Sequence, residues 1–160
     1  MSMIRHRRTE LATKTVTATM ARRLIPQPVL SFRIHPDDTH RYFLVEIYRT
    51  ERQLAKMRSL HFPEKKLEVV WAFTDIQVAY GNRLGVICLS LRAATDRIIA
   101  HECLHAAMHW AALKRLPGCM IWGHRNHERL ALALDELVSG FWEQFTGAGY
   151  ERKECWGWTR

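Results

Sequence analysis

The chain has 160 residues, enough for one domain with a substantial core. An apolar fraction of 48 % is that of a globular protein, and no run of about 18 apolar residues occurs, which excludes a helical membrane span. The formal net charge is +8 and is unevenly placed: residues 1–33 hold seven Lys/Arg against Glu10 alone, whereas residues 34–160 hold seventeen against fifteen acids.

The basic excess marks an N-terminal arm, residues 1–38. Met1 to Arg23 is rich in Thr, Ala and Arg and lacks the continuous apolar stretch of a secretory signal. The simpler reading is a solvated, partly disordered tail. The sharper one is a weak contact with nucleic acid or another acidic partner, against which stands the lack of aromatic residues among the basic ones. Pro26 and Pro28 interrupt any helix, Val29–Ile34 has the composition of a short strand, and His35-Pro36-Asp37-Asp38 reads as a turn. The four cysteines are scattered and form no C-x-x-C pair, so free thiols in a reducing cytoplasm are expected.

Thr39 to about Leu60 places apolar groups at helical spacing (Phe43, Ile47, Leu54 and Met57), and His61-Phe62-Pro63 stops it. An N-terminal helix is therefore predicted there. The period then changes. Leu67–Phe73 has strand composition, Ile76–Tyr80 alternates apolar and polar, and Val86–Leu91 follows the turn Gly81–Gly85. These segments predict a small, mostly antiparallel sheet whose last two strands form a hairpin. An edge strand of such a sheet can hold an extended peptide by main-chain pairing.

The next segment, Thr95 to about Arg115, reads as a helix with Thr95 as N-cap, Asp96 in its first turn and Pro117-Gly118 beyond its end. It carries His101-Glu102-Cys103-Leu104-His105. Residues four apart lie on one helix face, so His101 and His105 can bind one ion, and Glu102 can reach a water on it as general base. Two imidazoles and a carboxylate in this order are the core of a zinc hydrolase site. The plainer reading is a core helix with hydrogen-bonded histidines. Because the helix is mostly apolar, burial of these polar groups is expected to need partners, which a metal provides.

A catalytic zinc takes three protein ligands and an open position. His109, His124, His127, Glu128, Asp135 and Glu136 lie downstream. His109 sits one turn after His105 and is assigned to packing. Asn126 to Phe145 reads as a second long helix with the stripe Leu130, Leu134, Leu137, Val138, Phe141 and Phe145. At about 100° per residue His127 points near the centre of this stripe and Glu128 near its polar margin. Periodicity thus prefers His127 as the third ligand.

H-E-x-x-H followed by Glu128-Arg129-Leu130-Ala131 on a later helix resembles the gluzincin side of the zincin metallopeptidases, in particular small bacterial and phage-encoded zincin-like proteins with an E-x-x-A glutamate helix. The resemblance covers about residues 40–145. It implies an α+β, zincin-like fold, Zn2+ on His101, His105 and Glu128, catalysis by Glu102, and hydrolysis of a peptide bond in a protein or peptide substrate. It leaves His127 or His124 to donate to the oxyanion or to serve as an alternative ligand. An Asp four residues after the glutamate, found in some gluzincins, is replaced by Leu132; Asp135 is then the candidate to orient a histidine from the second layer.

Gly147 and Gly149 end the second helix, and Cys155-Trp156-Gly157-Trp158 forms a tail at 147–160 that is expected to dock on the body or on a partner. The domain proper is placed at 39–146. Two functions compete: a cytoplasmic zinc metallopeptidase, and a catalytically weak zincin-like regulatory or binding module acting on a protein or nucleic-acid partner. Glu102 favours the first, since a purely structural site does not need that base.

Overall fold

A computed structural model describes residues 25–64, 70–120 and 125–152. The chain is α+β. A mixed four-stranded sheet has order β1-β2-β4-β3, with β1 Leu30–Ile34, β2 Tyr42–Tyr48, β3 Ala72–Asp75 and β4 Arg83–Ser90. Helix α1 spans Glu51–His61, α2 Asp96–Leu113 and α3 Arg125–Gly147. Among the described residues no helix is long and apolar enough to cross a membrane. Most of the basic arm (residues 1–24), residues 65–69, His124 and the tail from residue 153, with Cys155, Trp156 and Trp158, lie outside the described residues.

The sheet starts earlier than the predicted domain boundary. β1 falls in the segment assigned to the arm, pairs antiparallel with β2 from Leu30↔Ile47 to Ile34↔Phe43, and buries Ile34. Asp37 in the following turn accepts hydrogen bonds from Trp110 Nε1 and Lys114 Nζ, each at 3.1 Å, and so ties the turn to the end of α2.

The helix predicted over 39–60 is two elements. Residues 42–48 form β2, in which Phe43, Val45 and Ile47 face one layer while Leu44, Glu46 and Tyr48 face the other. A strand covered on both faces lacks a clean polar alternation, so its apolar positions also satisfy a helical template. The true start of α1 is Thr50, which is extended (φ −134°, ψ 154°) and accepts from the Gln53 amide.

β2 and β4 run parallel, and β1–β2 and β3–β4 antiparallel, so the sheet is mixed. The hairpin partner of β4 is residues 72–75 and not Ile76–Tyr80. Asp75 ends β3 by accepting the Gln77 amide with its own side chain, at 2.8 Å, and residues 76–82 become the connection. Gly85 permits the close approach of β3 to β4, since a Cβ there would stand 2.8 Å from the Asp75 carbonyl.

Helices cover both faces of the sheet. On one, Phe43, Val45, Ile47, Ile87 and Leu89 pack with Ile99, Ala106 and Trp110 of α2 and Leu137 and Phe141 of α3. On the other, Leu54 of α1 packs with Tyr48, Phe73, Val86 and Cys88. Burial raises the thiol pKa of Cys88, and that of Cys103 to about 12, so both are inert hydrophobes.

α2 stops where Arg115 takes φ 51°. The amides of Leu116 and Arg115 bond back to the carbonyls of Ala111 and Ala112, a Schellman turn two residues before Pro117-Gly118.

Candidate metal centre and cleft

α2 presents its histidines outward and its glutamate inward. His101 and His105 are exposed, whereas Glu102 is 7 % exposed. The burial cost expected for the histidines is therefore absent, and only Glu102 requires an internal partner. Thr74 supplies it: the hydroxyl donates to Glu102 Oε2 at 2.7 Å. Thr74 lies on β3, whose alternation sends Ala72 and Thr74 towards α2 and Phe73 and Asp75 towards α1. The sequence reading passed over Thr74, although period-two patterning within Ala72–Asp75 places it on the α2 side.

The Nε2 atoms of His101 and His105 stand 3.2 Å apart, with rings at 86°. Two nitrogens at about 2.0–2.1 Å from one tetrahedral metal are separated by about 3.3 Å. The pair thus fits the donor spacing of zinc without rearrangement. The same spacing also allows one imidazole to donate to the other.

Among the described residues no group of three or more His, Cys, Asp or Glu side chains is placed to hold a metal ion. His101 and His105 come together beside Glu102. Glu128 sits exposed in the first turn of α3, with His127 half-buried next to it, and neither completes such a group. Asp135 is exposed on α3 and makes no hydrogen bond to His101 or His105. His124 lies outside the described residues. His109 packs edge-on to Phe43 with its Nε2 buried and unpartnered, and burial lowers its pKa against the opposing Leu84 backbone hydrogen bond. It packs, as the sequence suggested.

An open cleft of about 1060 Å³ runs between α2 and β3. Trp71 and Ala72 line one side, Ile98, His101, Glu102 and Leu104 the other, and α3 contributes Leu134. β3 is an outer strand of the sheet, and among the described residues no strand pairs with its far edge. His61 pins the end of β3 from the opposite layer: its Nδ1 is 2.6 Å from Asp75 Oδ2, and both side chains are largely buried. No spacing rule links residues 61 and 75, and sequence reasoning missed this pair.

No family model, no curated protein and no solved structure matches the chain. A functional reading therefore rests on the chain's own residues.

Proposed function

We propose that the chain is a zinc-dependent, zincin-like metallopeptidase. The observation that carries this is the His101–His105 nitrogen pair at 3.2 Å next to the oriented Glu102, with His101 and Glu102 lining a cleft flanked by an outer strand. His101 and His105 are the two zinc ligands. Glu128 is the expected third, on the resemblance to gluzincins, with His127 and His124 as alternatives. Bound zinc lowers the pKa of water towards neutrality and polarises a carbonyl. Glu102 accepts the proton of the attacking water and delivers it to the leaving nitrogen. Thr74 holds one carboxylate oxygen, so the other is presented to the reacting atoms in a fixed orientation. An extended substrate pairs along the free edge of β3.

Glu102→Gln tests this reading. It should keep stoichiometric zinc and lose cleavage of a denatured protein mixture; turnover equal to wild type would refute the role of Glu102. A second reading, a zincin-like binding module with little catalysis, is favoured by the lack of a third ligand group among the described residues, because two imidazoles alone hold zinc weakly. That module would bind zinc and partner but cleave nothing in either form.

A further inference from the structure

We propose that the cleft selects extended peptides bearing an apolar side chain at the cleavage point and an acidic side chain two to three residues away, with Arg97 as the residue that reads the acid. This rests on the peptidase reading of the same cleft.

The cleft has a polarity. Glu102 meets Thr74 at one end, and the N-terminal end of α2 lies towards Trp71, whose carbonyl accepts the Ser90 amide just before Leu91–Ala93. Three cleft residues make the other end charged: Arg92, Arg97 and Glu51. Glu51 lies three residues after the end of β2 and Arg92 two residues after the end of β4. β2 and β4 pair side by side at Tyr48↔Ser90, so these two opposite charges share one corner. Arg97 lines the cleft with them, and among the described residues no ion pair joins it to Glu51. It is exposed, lies four residues before His101 on the same face of α2, and among the described residues makes no ion pair or side-chain hydrogen bond. Its neighbour Asp96 is already engaged by Arg152 at 2.9 Å. A guanidinium without an ion-pair partner, one turn from His101 and beside the apolar walls Ile98 and Leu134, is complementary to an anion on the occupant.

The spacing follows from element geometry. His101 and His105 follow Arg97 by one and two turns on the same face, so the middle of the pair lies about 9 Å along the helix axis. An extended peptide advances about 3.3 Å per residue, so the acid falls two to three residues from the bond being cut. Next to the histidines the walls are Ile98, Leu104 and Leu134, with Leu104 38 % exposed, and these fit an apolar side chain.

The test uses full-length Glu102→Gln protein loaded with zinc, and fluorescein-labelled short alanine peptides carrying a central leucine-phenylalanine pair. One peptide has glutamate two residues beyond the pair and a second has lysine there. Fluorescence anisotropy at low salt should show the glutamate peptide bound about five- to ten-fold more tightly, with the gap narrowing as salt rises. Arg97→Glu in the same background should reverse the order. Equal binding of the two peptides, no binding of either, or an order unchanged by Arg97→Glu would overturn the inference. The two readings separate cleanly. If wild type cleaves proteins while the peptides bind equally, the peptidase stands and this selectivity falls. If the glutamate peptide wins but wild type cleaves nothing, the selectivity stands and the peptidase falls.

Discussion

Thr74 on an outer strand donates its hydroxyl to Glu102 on the histidine helix at 2.7 Å, which makes the strand beside the cleft a support for the carboxylate proposed as the base. Thr74→Val removes that donor while keeping the shape of the side chain. It should cost about 1 kcal/mol of stability and lower kcat by about ten-fold with KM little changed, because the carboxylate loses its fixed orientation. Thr74→Ser should recover most of the loss. Thermal melts and steady-state kinetics on the three proteins check this. Equal kcat in all of them would show that the bond is only structural.

The exposure of the two histidines yields a prediction that separates metal binding from folding. His101→Ala and His105→Ala remove exposed side chains, so metal-free stability should change by less than about 0.5 kcal/mol. Wild type should gain stability when zinc is added, and neither variant should. Melting curves with zinc and with a chelator give the comparison. A large loss in the chelated variants would point to structural histidines.

Glu128 and His127 are separable by the same ligand logic. Glu128→Ala should weaken zinc binding by at least about 100-fold if Glu128 completes the site, with His127→Ala near wild type. Competition with a fluorescent zinc chelator measures both. The opposite order would assign the site to His127, as helix periodicity alone prefers.

Arg115 has φ 51° at the C′ position of a Schellman turn, where glycine carries no Cβ penalty. Arg115→Gly should therefore stabilise the fold by about 0.5–1 kcal/mol, a rise in Tm of about 1–4 °C for a chain of this size. A lower Tm would show that the arginine side chain makes up for its strained backbone.

Acid should weaken the fold through Asp37. Desolvation raises its pKa, but hydrogen bonds from Thr39, Lys114 and Trp110 outweigh this and hold it below the ordinary value. A depressed carboxylate contributes stability above its unfolded pKa, and that contribution is lost as pH falls through the folded value. His109, lowered by burial, acts in the same sense nearer neutrality, because its protonation favours the unfolded chain. Asp37→Asn should thus lower Tm at pH 7, with the gap to wild type closing below about pH 3. A gap independent of pH would remove the charge from the explanation.

The two long helices were legible because each carries its own start and its own 3.6-residue period. Thr95 takes the N-cap position of α2, although its side chain makes no capping hydrogen bond, Asp96 lies in the first turn, and Leu130, Leu137 and Phe141 lie buried on one face of α3. β2 was not legible, because a strand covered on both faces keeps apolar residues at positions that also suit a helix. Thr74 and the His61–Asp75 pair reach their partners across 28 and 14 residues, contacts that only the sheet order creates. The same holds for the third ligand: H-E-x-x-H fixes two donors by helix geometry, whereas the next must come from an element whose approach no local pattern encodes. The assumption that the histidines are buried failed for a related reason. Overall apolarity of α2 says that the helix packs, while which face stays open depends on where β3 and α3 leave the cleft.

The central claim is that His101 and His105 bind one zinc ion together, and native mass spectrometry of zinc-loaded protein tests it most directly. One zinc per chain in wild type and in Glu102→Gln, with none retained by His101→Ala or His105→Ala at micromolar metal, is the predicted result. Stoichiometric zinc on both histidine variants would contradict it.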